Sequence, residues 1–554
     1  MKHSLFASAL AAAMLVSAPL ADAALIHLGV NLIGSNEVPP SGSLATGVAS
    51  LDLDTTAQTL TGHIVFSGLT SNTTAAHIHC CLASPFSTGV NVGVATVVPA
   101  FPGFPLGVRS GTDDFVLDLS SASAYNPAFV TAQGGLANAK TAFIAGLIAG
   151  ETYLNIHTTT SPGGEIRGFV TPSVSNAVDP YWMRPLPNFW VTGEVSGTCA
   201  AAQDHIFMVT RGFQTGGLAS PEGVGGANIT GVIGSINQSR AAPPVIEFDQ
   251  NGYVFNTWGN PALVPTGQPF AGQNAVLPNG LHGCFVDFQG NVWIAGTSDG
   301  VVQKYTHDGS TKLLTIGTKF SCDDGLGASI NCTGTGGGNV GRTGMSSTLL
   351  NLPADVAVDS GNGEVYIADG FGNHRVVVFD QNGNYLRQMG GVGTGAGQFA
   401  AGVAGQAQGH PSCVVLPNNG LVYACDRGND RINVFTKGSG TTPGTFVTAI
   451  PVIPGTAALG TLGSGSDISF SPDPAQTFMY VADGANERTW IMNHANALAG
   501  MPNAILGSFG NGFGHDTGEF TVLDTITVDS KGNAYTAETT GGRRLQRFVA
   551  TPPN

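Results

Sequence analysis

An all-β chain in two parts is predicted: an N-terminal region of half-buried strands followed by a six-bladed β-propeller. Three observations predict it. A strand–turn–strand–turn–strand unit recurs along the last two-thirds, clearest at 351–390 in NLPADVAVDSGNGEVYIADGFGNHRVVVFDQNGNYLRQMG. Such a unit is a small antiparallel sheet that cannot bury its own faces, so it must stack on copies of itself. Ahead of it, residues 25–172 alternate apolar and polar positions without that repeat, as in GVASLDLD (47–54) and TGHIVFSGL (61–69), the pattern of half-buried strands. Finally, charged residues make up only 10% and glycine reaches 79 of 554, which suits strands and tight turns better than helices.

The elements follow in order. Residues 1–23 have a basic start at Lys2, an apolar run from Leu5 to Val16, and small residues at Ala21 and Ala23. That is the layout of a secretory signal; the run is shorter than the roughly 20 residues a membrane span needs. No later stretch reaches that length either, so the expected product has no transmembrane segment and is secreted or periplasmic. The first part is assigned to 25–172. Prolines and a loss of periodicity in TPSVSNAVDPYWMRPLPN (171–188) mark a linker at 173–187.

The propeller is assigned to 188–549. Its innermost strands are placed near 195–201, 282–287, 354–359, 412–417, 466–471 and 524–529, each followed by a strand such as NVWIAG, EVYIAD, LVYACD, FMYVAD or NAYTAE. The last unit runs out after Phe548, and NFWVTG (188–193) is expected to supply the missing strand and latch the ring, since closure leaves fewer exposed edges. The glycine-rich stretches at 333–341 and 390–399 do not lie between a parallel strand and a helix, and are assigned to inter-blade loops.

Composition excludes some functions. A formal net charge of -15 without a run of Lys or Arg argues against nucleic acid as a partner, because phosphate-backbone binding needs clustered cations. The sequence has no nucleophile-elbow GxSxG with triad partners, no HExxH and no phosphate loop. Eight cysteines in an exported chain can pair. Cys413 and Cys425 are equidistant from the turn in CVVLPNNGLVYAC, so a hairpin places them opposite each other, as a bridge or as two buried thiols. Cys322 and Cys332 flank a Gly- and Asp-containing insertion that a bridge would order. Cys80, Cys81, Cys199 and Cys284 are left unassigned.

Candidate metal chemistry starts in the first part. His77 and His79 are two apart on an expected strand and so share a face, while His157 lies on the strand entering TTTSPGGEIRG. Three neutral imidazoles on neighbouring strands can hold Cu or Zn with one position open. The same histidines can instead hydrogen-bond backbone of neighbouring strands.

Two resemblances add to this. DGFGNHRVVVFD, CDRGNDRINVF and ADGANERTWIM resemble NHL repeats, with Asp369 and Arg375, Asp426 and Arg431, and Asp483 and Arg488 recurring in phase as hairpin-pinning ion pairs or ligand contacts. NEVPP (36–40), AHIH (76–79) and YLNIHTTTSPGGEIRG (153–168) resemble the CHRD domain, a match over most of 25–172 that implies an N-terminal β-sandwich; Cys80 and Cys81 stand where relatives usually carry a Gly-containing segment. The HxH strand with a distant His is also locally similar to copper-zinc superoxide dismutase.

The propeller portion is similar to peptidyl-hydroxyglycine amidating lyases in LHGCFVDFQGNVWIAG, LPADVAVDSGNGEVYIADGFGNHRVVVF and LVYACDRGNDRINVF. That resemblance implies three His on inner strands around a central zinc, beside an Arg and a Tyr that act on substrate. Carried over, it places His282 at the first zinc position and Arg211 at the substrate Arg. Ser412 stands at the second His position with His410 two residues earlier, Asp524 at the third, and Phe371 at the Tyr. Phenylalanine cannot exchange a proton. The expectation is therefore an exported protein that binds a protein, peptide or glycan through its propeller face, with metal-dependent lyase chemistry on an altered site as the alternative.

Overall fold

The structure, a computed structural model, describes residues 25–82, 89–172, 175–211, 240–259, 277–326, 328–332, 342–401, 410–459, 462–501 and 504–551. The expected signal at 1–23 and the glycine-rich stretch 333–341 lie outside the described residues.

The first part is one antiparallel sheet of seven strands: β1 (Leu25–Ile33), β2 (Thr46–Asp54), β3 (Thr59–Ser67), β4 (Thr73–His79), β5 (Gly111–Asp118), then helices α1 (Pro127–Ala132) and α2 (Leu136–Ala149), then β6 (Thr152–Thr158) and β7 (Ile166–Pro172). The spatial order is β4-β6-β7-β1-β2-β3-β5. Its two ends approach each other, because the Thr73 N–H donates to Val108 O and its carbonyl accepts from the Gly107 N–H. The sheet thus folds over a single core, filled from β1 by Leu28, Val30 and Leu32 and from β3 by Leu60, Ile64 and Phe66. The period-2 alternation read at 47–54 and 61–69 points Ala49, Leu51 and Leu53 of β2 and Ile64 and Phe66 of β3 into the same core.

Both helices depart from the strand-only expectation. Asn126 accepts the Ala128 N–H ahead of Pro127, and Gly150 stops α2 in the left-handed region. Ala139, Phe143, Gly146 and Leu147 bury one face of α2. Gly146 is required there, since a Cβ would meet the Cys80 Sγ at 2.9 Å and the Cys81 Sγ at 3.0 Å.

The second part is a ring of six four-stranded sheets. Its innermost strands are Val195–Ala200, Leu281–Val286, Asp355–Val358, Val414–Val415, Asp467–Phe470 and Leu523–Val528, in phase with the sequence repeat. The aromatic residue of each second strand from blade two onward (Trp293, Tyr366, Tyr423, Tyr480, Tyr535) is at most 1% exposed, each burial stabilising by about 1.5–3 kcal/mol. The Trp293 indole donates to Asp287 at 2.9 Å and the Tyr535 hydroxyl to Asp529 at 3.0 Å.

Closure differs from the expected latch. The outer strand of the sixth blade is β8 (Ser175–Val178), paired with Leu545–Thr551, and it comes from the segment assigned to the linker. Trp190–Val191, within the expected latch, instead pairs in parallel with Arg240–Ala241. The last blade needed a hydrogen-bonding partner more than a particular pattern, and the four residues nearest the first part supply it. Asp179 extends the seam by an ion pair with Arg547.

Cys413–Cys425 and Cys322–Cys332 are disulfides as expected; Cys199–Cys284 joins the inner strands of blades one and two, and Cys80 pairs with Cys81. The recurrent acid–base pairs hold in two of three blades. Arg375 and Arg431 each reach their Asp at 2.9 Å. Asp483 instead accepts from the Trp490 indole at 2.8 Å, while Arg488 turns to Ser508 and the Gly510 carbonyl.

Candidate functional site

The amidating-lyase positions gather at one end of the propeller channel, but with different partners. His282, at the start of the inner strand of blade two, is 3% exposed and puts Nε2 3.4 Å from Asp524 Oδ2. Asp524, on the inner strand of blade six, also meets Arg427 Nη1, 3.8 Å from its Oδ1. Burial lowers the His282 pKa to about 4 against the pull of Asp524, with Arg211 and Arg427 pushing the same way as burial. The ring of Phe371 lies edge-on to His282 at 5.5 Å.

Arg211 donates to the Leu281 carbonyl at 3.3 Å and forms an ion pair with Glu194 at 2.7 Å. Ser412 spends its hydroxyl on the Ser466 carbonyl at 2.7 Å. His410 is fully buried; its Nδ1 accepts the Gly428 N–H at 3.2 Å, and burial, then Arg427 and His374, hold it well below the ordinary histidine range.

The zinc implied by the lyase resemblance does not fit this set. His282, His410 and Asp524 are absent from the groups whose ligand atoms approach within 4.8 Å among the described residues; those groups are His77, His79 and His157, and Cys413, Cys425 and Asp467. The second includes a disulfide, whose sulfurs are not thiolate ligands. The charge a metal would bring to the channel is supplied by Arg427, which is 5% exposed, beside Asp524. Arg427 was missed from sequence, although a signal exists: ADG at 368–370 and 482–484 becomes CDR at 425–427. In those two blades a Cβ on Gly370 or Gly484 would strike the backbone of the next blade, whereas blade four sends a guanidinium into the channel.

The first part brings its three histidines together. β4 pairs with β6 so that His77 faces Asn155, His79 faces Tyr153 and Ala75 faces His157. Ring centroids are 4.6 Å apart for His77 and His157 and 5.0 Å for His77 and His79. Burial and mutual repulsion lower His77 to about 3; burial, against a backbone hydrogen bond, lowers His79 to about 4 and His157 as well. Glu37, from NEVPP, is buried beside them and raised to about 7 by burial, with Arg167 opposing. Arg167 is itself fully buried, its guanidinium 3.4 Å over the Tyr153 ring and hydrogen-bonded to Asn91 and the Val90 carbonyl. Thus residues from all three CHRD-like motifs meet on one face. Glu37, Asn155 and Arg167 stand in those motifs but went unrecognised as neighbours of the histidines, because register, not spacing, joins them.

Comparison with known proteins fits this division. Residues 28–170 match the CHRD domain and residues 350–379 match the NHL repeat; the chain carries a CHRD domain followed by an NHL-type six-bladed propeller. NHL repeat-containing protein 3 of Mus musculus is 25% identical over 332 residues, covering 58% of this chain and 77% of that protein. Probable peptidyl-alpha-hydroxyglycine alpha-amidating lyase pgal-1 of Caenorhabditis elegans is 24% identical over 178 residues, or 31% of this chain and 41% of that protein. Peptidyl-glycine alpha-amidating monooxygenase A of Xenopus laevis is 27% identical over 161 residues, and the chain spans only 14% of its length. Among solved structures, an auxiliary nutrient binding protein from Bacteroides thetaiotaomicron aligns with a TM-score of 0.39 at 10% identity over 88% of this chain and 94% of that one.

Proposed function

We propose that this is an exported binding protein whose propeller face recognises a protein, peptide or glycan, with the CHRD domain as an accessory module. The observation that carries the reading is the Asp524 carboxylate, which faces both His282 and Arg427, so the channel's charges are spent on one another. With Phe371 in the phenol's place, the site lacks a group that could exchange a proton there.

A second feature supports ligand binding. A cleft of about 820 Å³ opens between blades one and two, lined by Phe255, Phe288, His205, Glu247 and His307. Phe255 and Phe288 are more than half exposed, and exposed aromatic faces are well matched to a peptide or a sugar, while the buried Glu247 holds His205 and His307 in the wall of the cleft. Four disulfides suit an oxidising compartment, and no helix among the described residues is long and apolar enough to cross a membrane.

The alternative is a lyase with an altered active site, favoured by the similarity to amidating enzymes. Incubation with a peptidyl-hydroxyglycine, with and without added zinc, separates the two. The binding reading expects no glyoxylate release. Turnover that disappears in His282→Ala overturns it.

A further inference from the structure

The imidazoles on β4 and β6 take no part in the propeller's proposed role, yet their hydrogen bonds are arranged for a ligand of their own. A carbonyl oxygen only accepts. The contacts of His79 Nδ1 with Val92 O at 2.7 Å and of His157 Nδ1 with Pro162 O at 2.9 Å therefore place a proton on each Nδ1. In the uncharged ring, Nε2 is then a lone pair.

Those two lone pairs converge. His79 Nε2 lies 3.1 Å and His157 Nε2 2.9 Å from the same atom, Asn155 Oδ1. Two nitrogen lone pairs and an amide oxygen facing one another repel unless something positive lies among them or the amide is turned to present its NH2. His77 brings a third ring to the spot, the three ligand atoms lying within 4.8 Å of one another, and its buried Nδ1 has no hydrogen-bond partner. A tetrahedral metal at roughly 2.0 Å from each nitrogen sets them roughly 3.3 Å apart, a contraction within reach of small rotamer changes.

The geometry points to a single copper or zinc ion held by His77, His79 and His157, with Asn155 Oδ1 or a water in the fourth position. Three imidazoles without a thiolate select that class over calcium or magnesium, which take oxygen ligands. The Val92 and Pro162 carbonyls orient the ligands from behind, as outer hydrogen bonds commonly do for metal-binding histidines. Tyr153 stacks on His79 at 4.5 Å and packs with Leu82 against Met501 of the propeller, so the ion would sit next to the seam between the two domains.

The test uses the whole protein, stripped with chelator and reloaded with zinc or copper(II). One equivalent is expected to remain after desalting, and copper(II) EPR is expected to show coupling to three nitrogens. His79→Gln/His157→Gln is expected to weaken binding more than about 100-fold, while His282→Gln retains the metal. Absence of retained metal overturns the proposal, as does copper without coupling to several nitrogens or full retention in the double variant. If the double variant fails to fold, the EPR spectrum of the unaltered protein decides alone.

Discussion

Two places in this molecule collect buried histidine, and they differ in what surrounds it. In the CHRD domain, His77, His79 and His157 face one another across two strands, and backbone carbonyls hold two of their Nδ1 protons. At the channel end, His282 faces a carboxylate that also faces a guanidinium. Burial makes both sets neutral, but only the first leaves lone pairs converging on a common point. Histidine content alone therefore says little about metal chemistry; the groups on the far side of each ring decide it.

The comparison is broken most severely at Arg427. Arg427→Ala leaves the buried Asp524 with one partner fewer and is expected to cost about 3–5 kcal/mol in urea unfolding.

A smaller effect of opposite sign is expected from Asp355→Asn. Burial raises Asp355 to about 7, and Asp467 is raised as well, by burial and by Asp355. An unfolded Asp titrates near pH 4, so the folded state holds this proton more tightly. The stabilisation is fully present below about pH 4 and is lost as pH rises through about 7. The variant should therefore match the parent at pH 4 and exceed its stability at pH 8, on the order of 1–2 kcal/mol, as read from thermal unfolding at the two pH values.

Two finer substitutions sharpen the contrast. In chelator, His282→Gln is expected to cost about 1–2 kcal/mol by weakening its contact with Asp524, and His77→Gln less than about 1 kcal/mol, because His77 Nδ1 has no partner to lose. A larger loss at His77 would mean that its ring is a structural prop. Phe371→Tyr should change stability by no more than about 1 kcal/mol and create no hydroxyglycine turnover, since the Arg427–Asp524 contact persists.

Much of the architecture was legible because repetition fixes phase: the sixth inner strand, expected near 524–529, is Leu523–Val528. Cys413–Cys425 could be found from the centre of one turn. Cys199–Cys284 could not, because it links adjacent blades 85 residues apart, a proximity that arises only when the ring is assembled. β8 was hidden for a similar reason: SNAV carries little strand signal, and its pairing is imposed by the unfinished sixth blade. Helix α2 was visible in retrospect in the spacing of Ala139, Phe143, Gly146 and Leu147, but the glycine-rich composition drew attention away. At the histidines, the shared face of His77 and His79 follows from the two-residue strand period. Their companions Val92 and Pro162 act through backbone atoms of loops, for which side-chain identity leaves no trace.

Because β8 starts at Ser175, shortly after β7 ends at Pro172, the buckle of the propeller is fastened to the first domain. Its mate, Leu545–Thr551, is made only after all the intervening blades. The first domain can fold early, but the buckle must wait with its edge open until that strand has been made. A chain cut short before Leu545 would thus leave an unpaired edge hundreds of residues upstream, and a proteolytic nick just after Val178 would detach the ring from the outer strand of its sixth blade.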